Sequence, residues 1–159
     1  TFRKDVYKVA ANDETFDPAA WVIVSLSALG LGIFQSSANL AFNEFWVINV
    51  VLGTISWVAG FGMSVMLISW IVKAFLKMEI SKRKITRVLG LASIWIIFNF
   101  VGLIMLLISW FIAIKETLEL KSASTWGTVI PGWLSLILVS WGVNILFAFL
   151  LVGIGNIYL

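Results

Sequence analysis

The chain contains neither cysteine nor histidine. Without cysteine it cannot form a disulfide framework, a thiolate metal site or a cysteine nucleophile. The lack of histidine removes the commonest remaining ligand of zinc, haem and copper, and also the usual general base of nucleophilic catalysis. The sequence also carries no glycine-rich phosphate loop and no nucleophile elbow. We therefore expect no cofactor and no enzymatic activity.

Charged residues are scarce as well. They make up 12% of the 159 residues, whereas 61% are hydrophobic and the mean hydropathy is +1.04. An ordinary soluble domain carries roughly 25% charged residues. A soluble domain of this size could not hide so many large apolar side chains from water. Composition therefore excludes a soluble fold and indicates a membrane protein.

Four long apolar segments follow a polar amino-terminal stretch. Asp17 followed by Pro18 is typical of a helix start with Asp17 as the N-cap. We therefore divide the chain into residues 1–17 and a transmembrane domain of residues 18–159. We predict an all-α fold, a polytopic transmembrane helical bundle with four spans, while a fifth span stays open. The segments cover about residues 18–38, 45–75, 88–114 and 125–159.

Two of these segments carry interruptions. The third, residues 88–114, contains Asn99 and Gly102 at its middle. It can form one tilted helix, or a helical hairpin that turns near Asn99 and returns to the side from which it came. Each half of such a hairpin is too short to cross about 30 Å of hydrocarbon, so we favour the single crossing. In the fourth segment, Pro131 and Gly132 predict a kink or a late helix start.

The amino-terminal stretch of residues 1–17 has an amphipathic pattern. On a helix, Phe2, Val6 and Val9 share one face, and Lys and Asp residues occupy the other. This pattern fits a short helix that lies in the headgroup region of a membrane. A solvated, loosely ordered tail is the equally weighted alternative.

Basic residues cluster between the second and third segments. Six of the positions from 73 to 87 are basic and Glu79 is the only acid among them, whereas the turn at residues 39–44 has no basic residue. The positive-inside rule places this loop and the N-terminus in the cytoplasm, next to the cell's inner membrane. The loop also predicts contact with anionic lipids, although topology control alone would explain it. The basic loop residues are Lys73, Lys77, Lys82, Arg83, Lys84 and Arg87.

Nine tryptophans are spread through the segments. Four of them lie near predicted helix ends, where an indole ring anchors at the membrane surface. The others lie deeper, where packing or lipid contact is favoured over contact with a pigment or quinone. The predicted interfacial anchors are Trp21, Trp46, Trp126 and Trp133.

Small and polar residues within the segments indicate helix packing. Small side chains at four-residue spacing let helices approach closely in lipid, either within a hairpin or against a partner helix. Asn49, Asn99 and Asn144 are expected to form interhelical hydrogen bonds, with a substrate-lining role as the alternative. The predicted packing residues are Ala28, Gly32 and Ser36 in the first segment and Ser56, Gly60 and Ser64 in the second.

Four short stretches resemble prokaryotic members of the Yip1 family. They read Phe-Arg-Lys-Asp-Val-Tyr at residues 2–7, Ala-Ala-Asn-Asp at 10–13, Thr-Arg-Val-Leu-Gly-Leu-Ala-Ser at 86–93 and Ala-Ile-Lys-Glu-Thr-Leu-Glu-Leu at 113–120. The resemblance implies a multispanning helical protein, usually of five spans, with a cytoplasmic amino-terminal region. Eukaryotic relatives bind Rab-type GTPases, and prokaryotic relatives largely lack an assigned activity. This chain lacks the proline-containing break expected between a third and a fourth span, and it has no motif for Rab contact.

These observations favour a non-catalytic scaffold or accessory subunit of a larger membrane complex. The expected partners are membrane lipids and other integral membrane proteins or a second copy of the chain, and no nucleic acid. One alternative is a small channel or carrier with an uncharged lining. Another is a pigment- or lipid-associated subunit of an energy-converting complex, in which any chlorophyll would need a ligand other than histidine.

Overall fold

A computed structural model describes residues 4–38 and 46–155, and these residues form helices and no strand. Six of the elements are α-helices, and a short 3₁₀ helix, Ser93–Phe98, lies between the fourth and the fifth. The all-α prediction is therefore confirmed. The α-helices are α1 (Lys4–Asn12), α2 (Phe16–Ala38), α3 (Trp46–Phe75), α4 (Lys82–Ala92), α5 (Asn99–Leu118) and α6 (Ser122–Gly155).

Four of these helices are long and apolar enough to cross a membrane, as predicted. A helix needs about 20 apolar residues to cross the hydrocarbon core. The segments that meet the criterion are Phe16–Phe34, Trp46–Phe75, Val101–Leu118 and Ser122–Phe147. The chain is accordingly an integral membrane protein.

The third apolar segment is a hairpin, so the prediction of one continuous helix over residues 88–114 is wrong. α4 and the 3₁₀ helix run in one direction, and α5 returns alongside them. At the turn, a Cβ built on Gly102 would overlap the carbonyl oxygen of Trp95, so the two arms meet there backbone to backbone. Only glycine permits this close approach. The length of the apolar segment, on which the prediction of a single crossing rested, does not reveal the turn.

The first arm of the hairpin runs parallel to α2. Arg87 contacts Asp17 near the start of α2, and Ile97 reaches Gly30 farther along. α2 continues eight residues beyond Gly30, to Ala38, which corresponds to about 12 Å at 1.5 Å per residue. The tip of the hairpin therefore stops short of the far end of α2.

α3 and α6 form an antiparallel pair. The Ser140 hydroxyl lies 3.3 Å from the Ser56 carbonyl oxygen, and Ile68 packs on Gly132 near the other end. We call the end of the bundle that holds α1 and the start of α4 the proximal end, and the opposite end the distal end. α6 begins at the proximal end and runs to the distal end.

α6 does not start late at Pro131. The helix begins at Ser122, nine residues earlier, and Pro131 lies inside it. Proline has no N–H to donate to the carbonyl group four residues earlier, which here belongs to Gly127. In a membrane helix, neighbouring groups and small backbone adjustments accommodate such a gap.

Candidate functional site

The proximal end contains a buried arginine that joins three helices. Arg87 of α4 is 5% exposed, and its Nε donates to a carboxylate oxygen of Asp17 at the start of α2. Its Nη1 donates to the Ala11 carbonyl oxygen of α1 at 3.1 Å. A buried charge is costly unless it is paired and hydrogen-bonded, and here both conditions are met. Arg87 thus fixes α1 and α2 against the hairpin.

Asp17 is not the N-cap that the sequence indicated. α2 begins at Phe16, so Asp17 lies within the first turn and binds Arg87. The turn before α2 is instead stabilised by Asp13, whose carboxylate accepts hydrogen bonds from the Thr15 hydroxyl at 2.7 Å and the Thr15 amide at 2.9 Å. These two bonds lower the pKa of the Asp13 carboxyl below its usual value.

α1 presents two different faces. Tyr7, Ala10 and Ala11 are buried against α4 and α5, whereas Val6 and Val9 are exposed. Burial raises the pKa of the Tyr7 hydroxyl, and a hydrogen bond with the Ser109 side chain partly opposes that rise. The exposed valines are the ones that the sequence places on one apolar face, which suits a helix lying at the membrane surface.

The predicted basic loop is mostly helical. Lys73 lies in the last turn of α3, and Lys82, Arg83, Lys84 and Arg87 lie in α4. Arg87 is buried, so it cannot contact lipid headgroups or solvent as a loop residue would. Lys77 lies in the connection between α3 and α4. Its backbone φ is 53°, a value that residues other than glycine rarely adopt. The basic loop residues that are exposed at the proximal surface are Lys73, Lys77, Lys82 and Arg83.

The small-residue stripe of α3 packs on α6. A Cβ built on Gly60 would overlap the Ser140 side chain and lies 2.7 Å from the Leu136 carbonyl oxygen. The hydroxyl oxygens of Ser64 and Ser135 lie 3.1 Å apart across the same interface, and Ser56 is fully buried. This stripe therefore joins two helices of the same chain.

The stripe of α2 lies against other parts of the bundle. Ala28 is buried, and a Cβ on Gly32 would lie 3.4 Å from the Val50 carbonyl oxygen of α3. The backbones of α2 and α3 thus approach closely near their distal ends. The side chain of Ser36 lies outside the described residues, and so does that of Asn99.

The four predicted interfacial tryptophans have different surroundings. Trp21, Trp46 and Trp126 are each 37% to 41% exposed, as a ring at a surface would be. Trp126 also stacks on Phe111, with ring centroids 4.3 Å apart. Trp133 departs from the prediction, because its indole N–H is buried and has no hydrogen-bond partner among the described residues. Its side chain packs against the hydrophobic core.

The distal halves of α3 and α6 carry exposed side chains. Trp141 is 68% exposed and Phe149 is 74% exposed. A Cβ built on Gly142 would meet no atom within 4 Å. Asn144 is also exposed, and its side-chain nitrogen donates to the Ser140 carbonyl oxygen at 2.8 Å. We call the exposed residues of this stretch of α6 the distal face: Trp141, Gly142, Asn144, Ile145, Leu146 and Phe149.

An apolar groove lies at the proximal ends of α3 and α6. Its volume is about 490 Å³. One wall consists of Leu67, Trp70, Ile71 and Phe75 of α3 together with Leu76. The other wall consists of Ser124, Gly127, Thr128 and Pro131 of α6. The sequence contains a signal for it in the small residues that begin α6, but only the fold shows which side chains face them.

No group of three or more acidic residues that could hold a metal ion occurs in the part of the chain that the structure describes. Asn49 and Asn144, proposed as lining residues of a channel, are both exposed, and neither lines the groove. The described residues therefore contain four notable features: the hydrogen bonds around Arg87, the close contact between α3 and α6, the distal face and the apolar groove. Comparisons with models of protein families, with curated proteins and with solved structures find no match to this chain, so the resemblance to the Yip1 family stays a prediction.

Proposed function

We propose that this chain is a non-catalytic scaffold or accessory subunit of a larger membrane complex, and that the distal face binds a helix of a partner. The partner is another integral membrane protein or a second copy of this chain. The observation that carries the proposal is the exposed amide of Asn144 on a helix that is otherwise apolar around it. The Yip1-like architecture proposed from the sequence is compatible with this role.

The exposed amide needs hydrogen-bond partners that the bundle does not fully supply. An asparagine side chain has two N–H donors and an acceptor oxygen, and the bond to Ser140 uses one donor. Asn144 is followed on α6 by exposed apolar residues such as Ile145 and Phe149. In such surroundings, an asparagine on one helix typically bonds to another helix, with about 0.6 to 2 kcal/mol of stabilisation.

The surface next to Asn144 also suits a close helix contact. Gly142 has open space above it, so a second helix can approach the backbone of α6 there. Trp141 supplies a large flat side chain beside this gap. Aromatic residues are enriched where protein partners meet.

The proposed orientation places the N-terminus and the proximal end in the cytoplasm, with the protein in the inner membrane. It is supported by the exposed cations at the start of α4 and the end of α3. Because the chain has no cysteine, a single cysteine introduced at Lys82 can be labelled with a membrane-impermeant reagent added on one side of the membrane or the other. Labelling of position 82 from outside would contradict this orientation.

The test of the scaffold role uses a pair of matched asparagines. Asn12 in α1 and Asn144 in α6 both donate to the carbonyl oxygen four residues earlier, and both are exposed. The chain is expressed at native level, extracted in mild detergent, and sized by light scattering and by mass spectrometry of what accompanies it. We expect a complex larger than the 17.7 kDa chain, lost in Asn144→Leu and retained in Asn12→Leu.

Two results would contradict the proposal. The first is a wild-type chain that migrates alone, with no second copy and no other membrane protein. The second is a complex that survives Asn144→Leu as well as it survives Asn12→Leu, because the contact would then lie elsewhere.

A further inference from the structure

The apolar groove has the depth of one membrane leaflet. Along α3 it extends from Leu67 to Phe75, which is nine residues or about 12 Å of helix, and Leu76 follows directly after the helix. Half of a hydrocarbon core that is about 30 Å thick is about 15 Å. The groove starts at the proximal helix ends, so it follows the path that an acyl chain takes from the headgroup level toward the membrane centre.

The groove is open because the residues of α6 that face it are small. A Cβ built on Gly127 would meet no atom within 4 Å. The Thr128 hydroxyl donates to the Ser124 carbonyl oxygen at 2.9 Å and so adds little polarity to the wall. The volume of about 490 Å³ lies within the range of about 300 to 1,000 Å³ that is usual for ligand sites.

Aromatic side chains border the groove on the α3 side. Trp70 and Phe75 are 60% and 70% exposed, and their rings meet edge to face with centroids 5.8 Å apart. The two rings extend the apolar wall outward. An occupant of the groove would therefore contact hydrocarbon and aromatic surface along most of its length.

Three lysines lie close in sequence to the residues that line the proximal end of the groove. Lys73 and Lys77 lie on either side of Phe75 and Leu76, and Lys121 directly precedes α6. All three are exposed and make no ion pair within residues 4–38 and 46–155. By contrast, Arg87 is paired with Asp17, Lys8 with Glu119, and the Lys115 amine donates to Ser122. These three lysines therefore have no ion-pair partner among the described residues.

We propose that the groove binds one acyl chain of an anionic phospholipid, whose phosphate lies at Lys77 and Lys121. The chemistry of the site has two parts, an apolar slot one leaflet deep and cations at the headgroup level. Basic pockets between membrane helices typically bind lipid headgroups in this way. The inference is independent of the scaffold role, since it concerns the opposite end of α6.

The test uses the full chain reconstituted with phosphatidylglycerol and phosphatidylcholine of identical acyl chains, followed by gentle delipidation and native mass spectrometry. We expect the wild type to retain a single phosphatidylglycerol in preference to phosphatidylcholine. Each lysine beside the lipid phosphate strengthens binding about five-fold, so Lys77→Gln with Lys121→Gln should reduce phosphatidylglycerol retention about twenty-five-fold. The pair Lys82→Gln with Arg83→Gln removes the same charge away from the groove and should change it less than about two-fold.

A second variant tests the slot itself. Gly127→Leu fills the groove without meeting an atom near its Cβ, and Gly53→Leu adds the same side chain at an equally open glycine of α3 outside the groove. We expect Gly127→Leu to lose the bound phosphatidylglycerol and Gly53→Leu to keep it, with unchanged circular dichroism in both. The lysine pair leaves the groove wall intact, so the proposal stays testable if Gly127→Leu does not fold.

Three outcomes would overturn the proposal. Equal retention of the two lipids by the wild type would remove the role of the lysines. Equal losses in the two charge pairs would show general attraction to the basic surface. A Gly127→Leu variant that retains its lipid but changes its oligomeric state would show that a protein helix occupies the groove.

Discussion

The proximal and distal parts of the bundle differ in the burial and the hydrogen-bond partners of their polar side chains. At the proximal end, Arg87 is buried and both of its described hydrogen bonds go to other helices of the chain. At the distal end, Asn144 is exposed and bonds only to its own helix among the described residues. In a membrane, polar groups are satisfied inside a protein or at a contact with another one. The difference favours the distal face as the proposed contact with a partner.

The glycines of the hairpin also differ from the glycine of the distal face. Around the hairpin, Gly102 and Gly90 allow backbones to touch, and a Cβ on either would meet main-chain atoms at once. On the distal face, Gly142 has open space. The same residue type is therefore a structural requirement in one region and an opening in the other.

The largest expected effect comes from closing the space at the hairpin turn. Gly102→Leu forces a side chain into the Trp95 backbone, and we expect it to lower the free energy of unfolding by about 3 kcal/mol or more. Gly142→Leu should change it by less than about 0.5 kcal/mol, because nothing lies within reach. Unfolding of both variants in mixed detergent micelles measures the difference. Equal stabilities would mean that the hairpin does not close at Gly102.

A smaller effect is expected at the buried ion pair. Arg87→Met leaves the Asp17 carboxylate and the Ala11 carbonyl oxygen without their partner. Loss of one member of a buried pair costs about 3 to 5 kcal/mol, and since Asp17 is partly exposed we expect about 2 to 3 kcal/mol.

Arg83→Met is the matched control for the ion pair, because Arg83 is exposed on the same helix. It should change the unfolding free energy by less than about 0.5 kcal/mol. If the two arginine variants unfold alike, Arg87 does not hold α1 and α2 in place.

The smallest effect concerns pH at the turn between α1 and α2. The pKa of Asp13 is lower in the folded chain than in the unfolded one, so its bonds to Thr15 stabilise the fold above the unfolded pKa and lose this effect as the pH falls through the folded pKa. Thr15→Ala removes the hydroxyl bond. We expect a small decrease in Tm at neutral pH that disappears in acid.

Thr15→Ser keeps a hydroxyl and serves as the control for this experiment. Its Tm should follow that of the wild type at each pH. A difference between Thr15→Ala and wild type that stays constant from neutral to acid pH would show that the Asp13 carboxylate is not involved.

The number and approximate bounds of the long helices could be predicted from the sequence. Apolar runs between charged residues define them, and α3 was expected over residues 45–75 and extends over Trp46–Phe75. The start of α2 was also close, because a turn precedes Pro18. Local composition suffices for such features, since the bilayer demands a helix of a certain length.

The hairpin and the buried pair could not be predicted in this way. An apolar run of 27 residues has the same composition whether it crosses once or turns back at Gly102, and the deciding contact is with Trp95. Likewise, the sequence shows Arg87 only as one cation of a basic loop. Its partner Asp17 is 70 residues away in the chain, and only the fold places it beside the guanidinium group. Both features depend on tertiary contacts that a one-dimensional pattern does not contain.

The hairpin also bears on how the chain enters the membrane. Phe98 is followed directly by α5, and the tip between the two arms contains no charged residue. The two arms can therefore slide into the bilayer together from the proximal side, without carrying a charge across it. Arg87 then reaches Asp17 only when the hairpin is fully inserted beside α2. The ion pair therefore marks the inserted position of the hairpin beside α2.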